Sequence, residues 1–302
     1  MYDLIIIGSG PAGLSAAIYA TRAELNAITI EKGFMSGGQV LLTDTVDNYP
    51  GIPNVNGFDL GQKLRDHADG LGAVFVEDEV QSIEKKDGYF VLHGISENYE
   101  TKSIIAATGA HHRHLGAEGE ERLGGRGVSY CATCDGALYK GKDTAVIGGG
   151  NVALEDALFL SRMCRKVYLI HRRNEFRGVK STQTQVLKTE NIEVIWDSVL
   201  EEVVGDKEVT GAKVKNVKTG EMRDLALDGV FVAVGITPDS QIFDGLVEMD
   251  GGFIKAGEDG ATSMPGIFAA GDVRTKAMRQ VITAAADGAN CVHSVDEYLR
   301  SL

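Results

Sequence analysis

The chain has 302 residues, 43% hydrophobic and 24% charged, which is enough for two domains that each bury a core. A net charge of −13 leaves no basic face for nucleic-acid phosphates and no polybasic segment for an anionic membrane, and no apolar run reaches the ~20 residues of a membrane span. Of the four cysteines only Cys131 and Cys134 have a paired spacing, which excludes a secreted disulfide scaffold and makes a reducing, cytoplasmic setting the expectation.

Met1-Tyr2-Asp3 carries no basic region or cleavage site and runs directly into residues 4–7, Leu-Ile-Ile-Ile, so it reads as a first strand and not as a signal peptide. A wholly apolar run of this kind suits a parallel strand buried on both faces. Gly8-Ser9-Gly10-Pro11-Ala12-Gly13 follows, then an alanine-rich helix over 14–22 and a strand over 27–30 that ends at Glu31. Strand, G-x-G-x-x-G, helix, strand and acid stand in the order of a dinucleotide-binding fold. The glycines permit a tight turn and close backbone approach, the helix N-terminus faces a pyrophosphate, and Glu31 takes ribose hydroxyls.

Met35-Ser36-Gly37-Gly38-Gln39 and Asn48-Tyr49-Pro50-Gly51 are turn-forming by composition. A helix is predicted over 57–71, with strands around 74–76, 80–83, 89–92 and 99–102. A further apolar strand, 103–107, stops at Thr108-Gly109. His111-His112-Arg113-His114 has no acid or cysteine at ligand spacing, so it reads as a solvated connector and no metal site is expected.

Cys131-Ala132-Thr133-Cys134-Asp135-Gly136 pairs two thiols with an adjacent acid, the pattern of a reactive disulfide. A zinc site would need two more ligands, and no second pair exists. The dinucleotide pattern then repeats, with a strand over 144–147, Gly148-Gly149-Gly150-Asn151-Val152-Ala153, a helix over 153–163 and a strand over 166–170. The spacing is identical in the two repeats, since Gly8 to Glu31 is 31 − 8 = 23 and Gly148 to His171 is 171 − 148 = 23. Here the second strand ends on His171-Arg172-Arg173, with Arg177 a turn further on. An acid suits a free 2′-hydroxyl, whereas arginines grip a 2′-phosphate, so the two repeats should hold different dinucleotides and the second should prefer NADPH to NADH. A surface basic cluster is the plainer alternative, which the position at the ribose end of the strand disfavours. Strands around 193–196, 201–204, 210–217 and 230–234 follow and end at Gly235-Ile236-Thr237-Pro238. Ala269-Ala270-Gly271-Asp272 forms a Gly-Asp tip, where Asp272 suits a polyol hydroxyl or a helix N-cap, and a last amphipathic helix covers 280–298.

These motifs, together with Gly37-Gly38-Gln39, Ala107-Thr108-Gly109 and Arg279-Gln280-Val281, resemble the bacterial low-molecular-weight NADPH-dependent thioredoxin reductases, in the family's order and over essentially the whole chain. The resemblance implies an α/β protein of two Rossmann-like domains. An FAD domain of residues 1–112 and 239–302 would be interrupted by an NADPH domain of 113–238 carrying the Cys pair, with a hinge at the two crossings. It implies FAD contacts from Gly8, Ser9, Gly10, Pro11, Ala12, Gly13, Glu31, Gly38, Gln39, Asn48, Thr108, Gly109, Gly271, Asp272, Arg279, Gln280 and Val281. NADPH contacts would come from Gly148, Gly149, Gly150, Asn151, Glu155, His171, Arg172, Arg173 and Arg177. Cys134 is then the cysteine nearer the flavin, Cys131 the one that attacks thioredoxin, and Asp135 the proton donor and acceptor, for which partial burial raises an acid's pKa usefully. Electrons would pass from NADPH to FAD, to the disulfide and to thioredoxin, with a domain rotation between half-reactions. Thioredoxin lies near about −270 mV, so the transfer runs close to balance and is pulled by NADPH. A homodimer is implied as well.

Two positions depart from the pattern. Val152 stands where a serine or threonine is usual, removing a hydroxyl donor worth about 0.5–1.5 kcal/mol. Ala137 and Leu138 stand where two aromatics often receive the partner, which implies a flatter docking pocket. Related readings are the flavoprotein of a peroxiredoxin system, which normally carries an extra N-terminal Cys-pair portion, a ferredoxin-fed reductase, which should lack the arginines, and an oxygen-using thiol oxidase. A flavin-binding redox sensor is the reading from another class, and sustained NADPH turnover separates it from a reductase.

Overall fold

The computed structural model describes residues 1–43 and 45–302. The chain forms two compact units, Met1–His111 with Thr237–Leu302, and His112–Ile236, so the second is inserted into the first.

The first unit is built on a seven-stranded sheet whose centre is parallel, in the order Val74–Glu77, Ala27–Glu31, Tyr2–Ile7 and Asn98–Ala106. Alternate residues of Tyr2–Ile7 enter two different cores, Ile5 and Ile7 on one face and Leu4 and Ile6 on the other. Burial on both faces is why residues 4–7 of this strand are uninterrupted Leu and Ile. Helices Pro11–Arg22 and Val281–Arg300 cover the second face. They approach so closely that a Cβ on Gly288 would lie 2.1 Å from the Ala12 carbonyl oxygen.

The two strands expected over 99–102 and 103–107 are one strand, Asn98–Ala106. It is shared between partners. Its first half pairs antiparallel with Phe90–Gly94, and its last three residues pair parallel with Ile267–Ala269. Thr101 and Ser103, at the place where the two expected strands met, are fully buried, and the Thr101 hydroxyl donates to the Ser103 carbonyl at 2.9 Å. A polar residue satisfied by its own strand does not end it.

The second unit has a five-stranded parallel sheet in the order Ile192–Ile195, Lys166–Ile170, Asp143–Ile147, Gly229–Val232 and Val128–Ser129. An antiparallel sheet of Ser198–Gly205, Val209–Asn216 and Met222–Ala226 accompanies it. Both sheets are those of a Rossmann-like unit with an added meander. Helix Lys180–Lys188 and strand Met222–Ala226 have no counterpart in the sequence expectations, because each buries only one residue and shows little apolar periodicity.

At the passages between units the two chain segments lie side by side within each unit. Asp239 N–H donates to the Gly109 carbonyl at 3.0 Å in the first, and Arg113 N–H to the Gly235 carbonyl at 3.0 Å in the second.

Candidate active site

Three assemblies bring the chemistry-bearing residues together, two glycine loops and one disulfide. In the first loop Gly8 has φ +102°, and a Cβ there would lie 2.5 Å from the Ala107 carbonyl oxygen. A Cβ on Gly13 would lie 1.8 Å from the Gly8 carbonyl oxygen, so the turn and the helix N-terminus both require glycine. Pro11 opens helix Pro11–Arg22, three residues before the start read from the sequence, as its fixed φ and missing N–H allow. Around Gly10 the space is open, the nearest atom being the Gly38 Cα at 4.0 Å, so a ligand backbone can approach there. Glu31 lies at the end of its strand and turns to this loop, accepting from Ser9 N–H and Ser9 Oγ–H, both at 2.7 Å, and from Gly33 N–H at 3.0 Å. Gln39 donates to the Ala110 carbonyl, and Asn48 to Gln280 Oε1 at 2.9 Å. The Thr108 hydroxyl donates to the Asp239 carbonyl.

The Gly-Asp tip forms a short turn, Gly271–Val273. Asp272 does not cap the final helix, as the alternative reading had it. That helix begins at Val281 and is capped by Gln280 with Thr283 in a reciprocal box. Asp272 Oδ1 is buried with no hydrogen-bond partner among the described residues. Burial pushes its carboxyl above the usual range, against the charges of Lys276 and Arg279. An orphaned buried acceptor of this kind fits a ligand hydroxyl.

Behind the tip, Asp287 accepts from Gly271 N–H at 2.9 Å, from Arg274 at 2.7 and 2.8 Å and from Lys276 at 2.8 Å. Burial works against charge on Asp287, but these bonds outweigh it and hold the carboxyl below its ordinary value. The network fixes the direction of the tip, and of its members only Gly271 was anticipated as a site residue, while Asp287, Arg274 and Lys276 were not. One signal was available. Asp287 lies on the same helical stripe as the buried Ala284, Gly288 and Cys291, a charge where the periodicity demands an apolar residue.

In the second loop, Gly148 has φ +155° and a Cβ there would lie 2.4 Å from the Ala233 carbonyl oxygen. A Cβ on Gly150 would meet nothing within 4 Å, the same openness as at Gly10. Helix Asn151–Ser161 starts directly after it, two residues before the start read from the sequence, with Glu155 exposed and Val152 58% exposed in its first turns. Asn151 Oδ1 accepts from Val179 N–H at 2.7 Å, and Gly149 carbonyl from Arg177 N–H at 2.8 Å, so the segment after the strand is tied to the loop.

His171 is buried, with its ring against Gly149 and its Nε2 3.0 Å from the Glu175 carbonyl oxygen. Burial, with the nearby charges of Arg177, Arg172 and Arg173, moves its pKa down, so it stays neutral. The three arginine side chains are exposed, with no acid partner among the described residues, and their charges converge on this spot.

Cys131 and Cys134 form a disulfide on the short helix Ala132–Asp135. Cys131, in extended backbone after strand Val128–Ser129, caps that helix, its Sγ accepting from Cys134 N–H at 3.2 Å. Ala132 and Gly136 anchor the turn. The first is buried, and a Cβ on the second would lie 3.0 Å from both Leu160 and Phe159. Asp135 is half-buried and accepts from the Ser129 hydroxyl at 2.6 Å. Ser129 itself was not anticipated. Ala137 and Leu138 are both exposed on the turn Gly136–Tyr139 that follows. The neighbouring Tyr139 is pushed up to about 12 by burial and then by the Asp135 charge.

The histidine run is more structured than a solvated connector. His112 stacks on Tyr130 with ring centroids 5.3 Å apart, and Tyr130 Oη lies 2.9 Å from His114 Nδ1 and donates to Glu120 at 2.9 Å. Glu120, 1% exposed, also accepts from Leu115, Gly116 and Ala117 N–H. His111 pairs with Asp239 at 3.1 Å. Aromatic and acidic partners distant in sequence give this segment its order, which spacing alone does not reveal.

The family model for pyridine nucleotide-disulphide oxidoreductases matches residues 2–288. The chain is similar to the thioredoxin reductase of Listeria monocytogenes, 43% identical over all of this chain and 95% of that one. It is 44% identical to the Treponema pallidum thioredoxin reductase, over 100% of this chain and 98% of the relative. Among solved structures it resembles thioredoxin reductase from Streptococcus pyogenes, at 41% identity and a TM-score of 0.96, covering 100% of this chain and 99% of the other. With a family model spanning nearly its whole length and relatives above 40% identity, the chain belongs to the pyridine nucleotide-disulphide oxidoreductases and, within them, to the thioredoxin reductase family.

Proposed function

We propose that this chain reduces the disulfide of a thioredoxin with electrons from NADPH, using FAD as the flavin. The observation that carries the reading is the Cys131–Cys134 disulfide with Asp135 on the same short helix, in the unit that holds the arginine-flanked glycine loop. Gly8 to Gly13, Glu31, Gly38, Gln39, Asn48 and the Gly271–Asp272 tip would hold FAD. The orphaned Asp272 Oδ1 and the open approach at Gly10 support that fit. Gly148 to Asn151, Glu155, Arg172, Arg173 and Arg177 would hold NADPH, the guanidiniums on its 2′-phosphate. When bound, the two cofactors supply a hydride acceptor and donor and deliver an electron pair to the disulfide.

The chain's own residues handle sulfur and protons. The disulfide takes two electrons and two protons to become two thiols. Cys131, as thiolate, attacks the partner disulfide; Cys134 then attacks Cys131 and releases the reduced partner, whose leaving thiolate takes a proton from Asp135. Ala137 and Leu138 form part of the docking surface. The working form is read as a cytoplasmic homodimer. No helix among the described residues is long and apolar enough to cross a membrane.

The purified protein is expected to be yellow and to oxidise NADPH continuously with thioredoxin and a disulfide reporter. Cys131→Ser and Cys134→Ser should each keep the flavin spectrum and lose thioredoxin reduction. Full thioredoxin turnover by either variant would overturn the reading.

A further inference from the structure

Ser129 is the last residue of strand Val128–Ser129, 5% exposed, and its side chain lies between the nucleophilic turn and the acid. Three bonds meet at its hydroxyl. It donates to Asp135 Oδ2 at 2.6 Å, it accepts from Cys131 N–H at 3.1 Å, and the Cys131 carbonyl oxygen is a second acceptor at 3.3 Å. A serine hydroxyl has one hydrogen and two lone pairs, so this set of neighbours can be satisfied in two ways. With Asp135 ionised, the hydrogen points to its carboxylate, and 2.6 Å is the length of a charge-assisted O–H···O⁻ bond. With Asp135 protonated, the acid donates to the second lone pair and the serine hydrogen turns to the Cys131 carbonyl. Cys131 N–H keeps its acceptor throughout.

We infer that Ser129 is a positioning residue for proton transfer, a hydroxyl that holds Asp135 in one place in both of its protonation states while the Cys pair is reduced and reoxidised. The inference rests on the role given to Asp135 in the proposed function. Reduction adds two electrons and two protons to the Cys131–Cys134 bond, and one of those protons passes through Asp135. Reoxidation by the partner disulfide returns both electrons and both protons to the partner's thiols. Each passage takes Asp135 between its ionised and its neutral form, and an O–H rotation at Ser129 follows that change. A carboxyl held solely by donors would be anchored in its ionised state and released in its neutral one.

The test compares FAD-loaded wild type, Ser129→Ala, Ser129→Thr, Asp135→Asn and the double variant Ser129→Ala with Asp135→Asn. Two quantities are read from pH 6 to 9. One is thioredoxin turnover, and the other is the rate at which NADPH converts the enzyme's own disulfide to alkylatable thiols. Ser129→Ala should bind FAD normally, lower both rates about tenfold or more, and move the alkaline limb to higher pH, because the carboxylate has lost its donor. Ser129→Thr, which keeps the hydroxyl, should restore the limb. In the Asp135→Asn background the Ser129→Ala change should alter the rates by less than about twofold, the signature of two residues acting through one proton. An unchanged limb in Ser129→Ala, or the same fold-loss with and without Asp135, overturns the inference. Wild type that forms its own thiols but leaves thioredoxin oxidised would instead overturn the substrate reading, and the thiol rates would still decide the role of Ser129.

Discussion

In the first unit the strand Ala27–Glu31 ends on a carboxylate that turns back and takes two bonds from Ser9, so the glycine loop is braced by an acid. In the second, the strand Lys166–Ile170 ends on a neutral, buried imidazole lying against Gly149, and the charges beyond it are arginines turned outward. Both loops keep the same frame, with one forbidden Cβ at the strand end and one open glycine before the helix. In the proposed function, a shared backbone frame for dinucleotide approach would leave ligand choice to a few side chains at the end of the second strand. The units also differ in how they bury charge. The first helix, Pro11–Arg22, has no acid and packs on another helix whose buried Asp287 is fully paired, while Asp272 of the neighbouring tip has an oxygen with no partner among the described residues. The second, Asn151–Ser161, carries Glu155 and Asp156 together, and burial with the Glu155 charge raises Asp156 to about 7.

The largest expected effect comes from breaking the paired charge. Asp287→Asn leaves Arg274 and Lys276 buried without their counter-ion and should cost about 3–5 kcal/mol in denaturant unfolding. Because the folded carboxyl sits below its ordinary value, its contribution is present at neutral pH and is lost as pH falls through the folded value. The gap between wild type and variant should therefore narrow in acid. A constant gap down to low pH would mean that the pair contributes packing and not charge.

The arginine end is next. Arg172→Ala with Arg173→Ala should raise the Michaelis constant for NADPH by about 10- to 100-fold, the worth of one or two charge-assisted contacts, and barely move that for NADH. Equal effects on both nucleotides would erase the distinction drawn between the two loops.

Asp156 tests the other half of the charge comparison, with the opposite sign. An acid whose folded pKa is raised from 3.8 to about 7 destabilises progressively as pH climbs between those values. Asp156→Asn should therefore gain stability relative to wild type on going from pH 5 to pH 8, by about 1–3 kcal/mol. Thermal unfolding at the two pH values measures it, and a difference that does not change with pH removes the buried charge from the account.

Much of this was legible before any coordinates. Parallel strands buried on both faces declare themselves as unbroken Leu, Ile and Val, and glycines that no Cβ could replace stand at fixed distances after them. The local spacing of Cys131, Cys134 and Asp135 likewise brings its own members together on one short helix. What stayed hidden depends on contacts between distant segments. Asp287 meets Arg274 and Lys276 across the tip, and Glu120 gathers backbone donors and Tyr130. Ser129 was hidden for a different reason. It lies only six residues from Asp135, yet strand and helix geometry decide that its hydroxyl reaches the acid, and a lone serine in an apolar strand carries no such signal. The split of Asn98–Ala106 into two strands was the reverse error, since the buried polar residues at the join are satisfied within the strand and do not end it.

The smallest effect concerns Val152, which follows the open Gly150 by two positions and is 58% exposed in the first turn of its helix. A side chain there meets solvent or ligand more than the protein core, so replacing it should change binding and leave the fold alone. Serine at this place adds one neutral hydroxyl donor toward the pyrophosphate, worth about 0.5–1.5 kcal/mol. The expected result for Val152→Ser is a fall of about 2- to 10-fold in the Michaelis constant for NADPH, with an unchanged unfolding midpoint. NADH should gain equally, because the pyrophosphate is common to both nucleotides. That equality is what would distinguish a loop contact from the proposed arginine contacts, which would meet only the 2′-phosphate. A gain confined to NADPH would place Val152 at the ribose end and require the orientation of the nucleotide in this cradle to be redrawn.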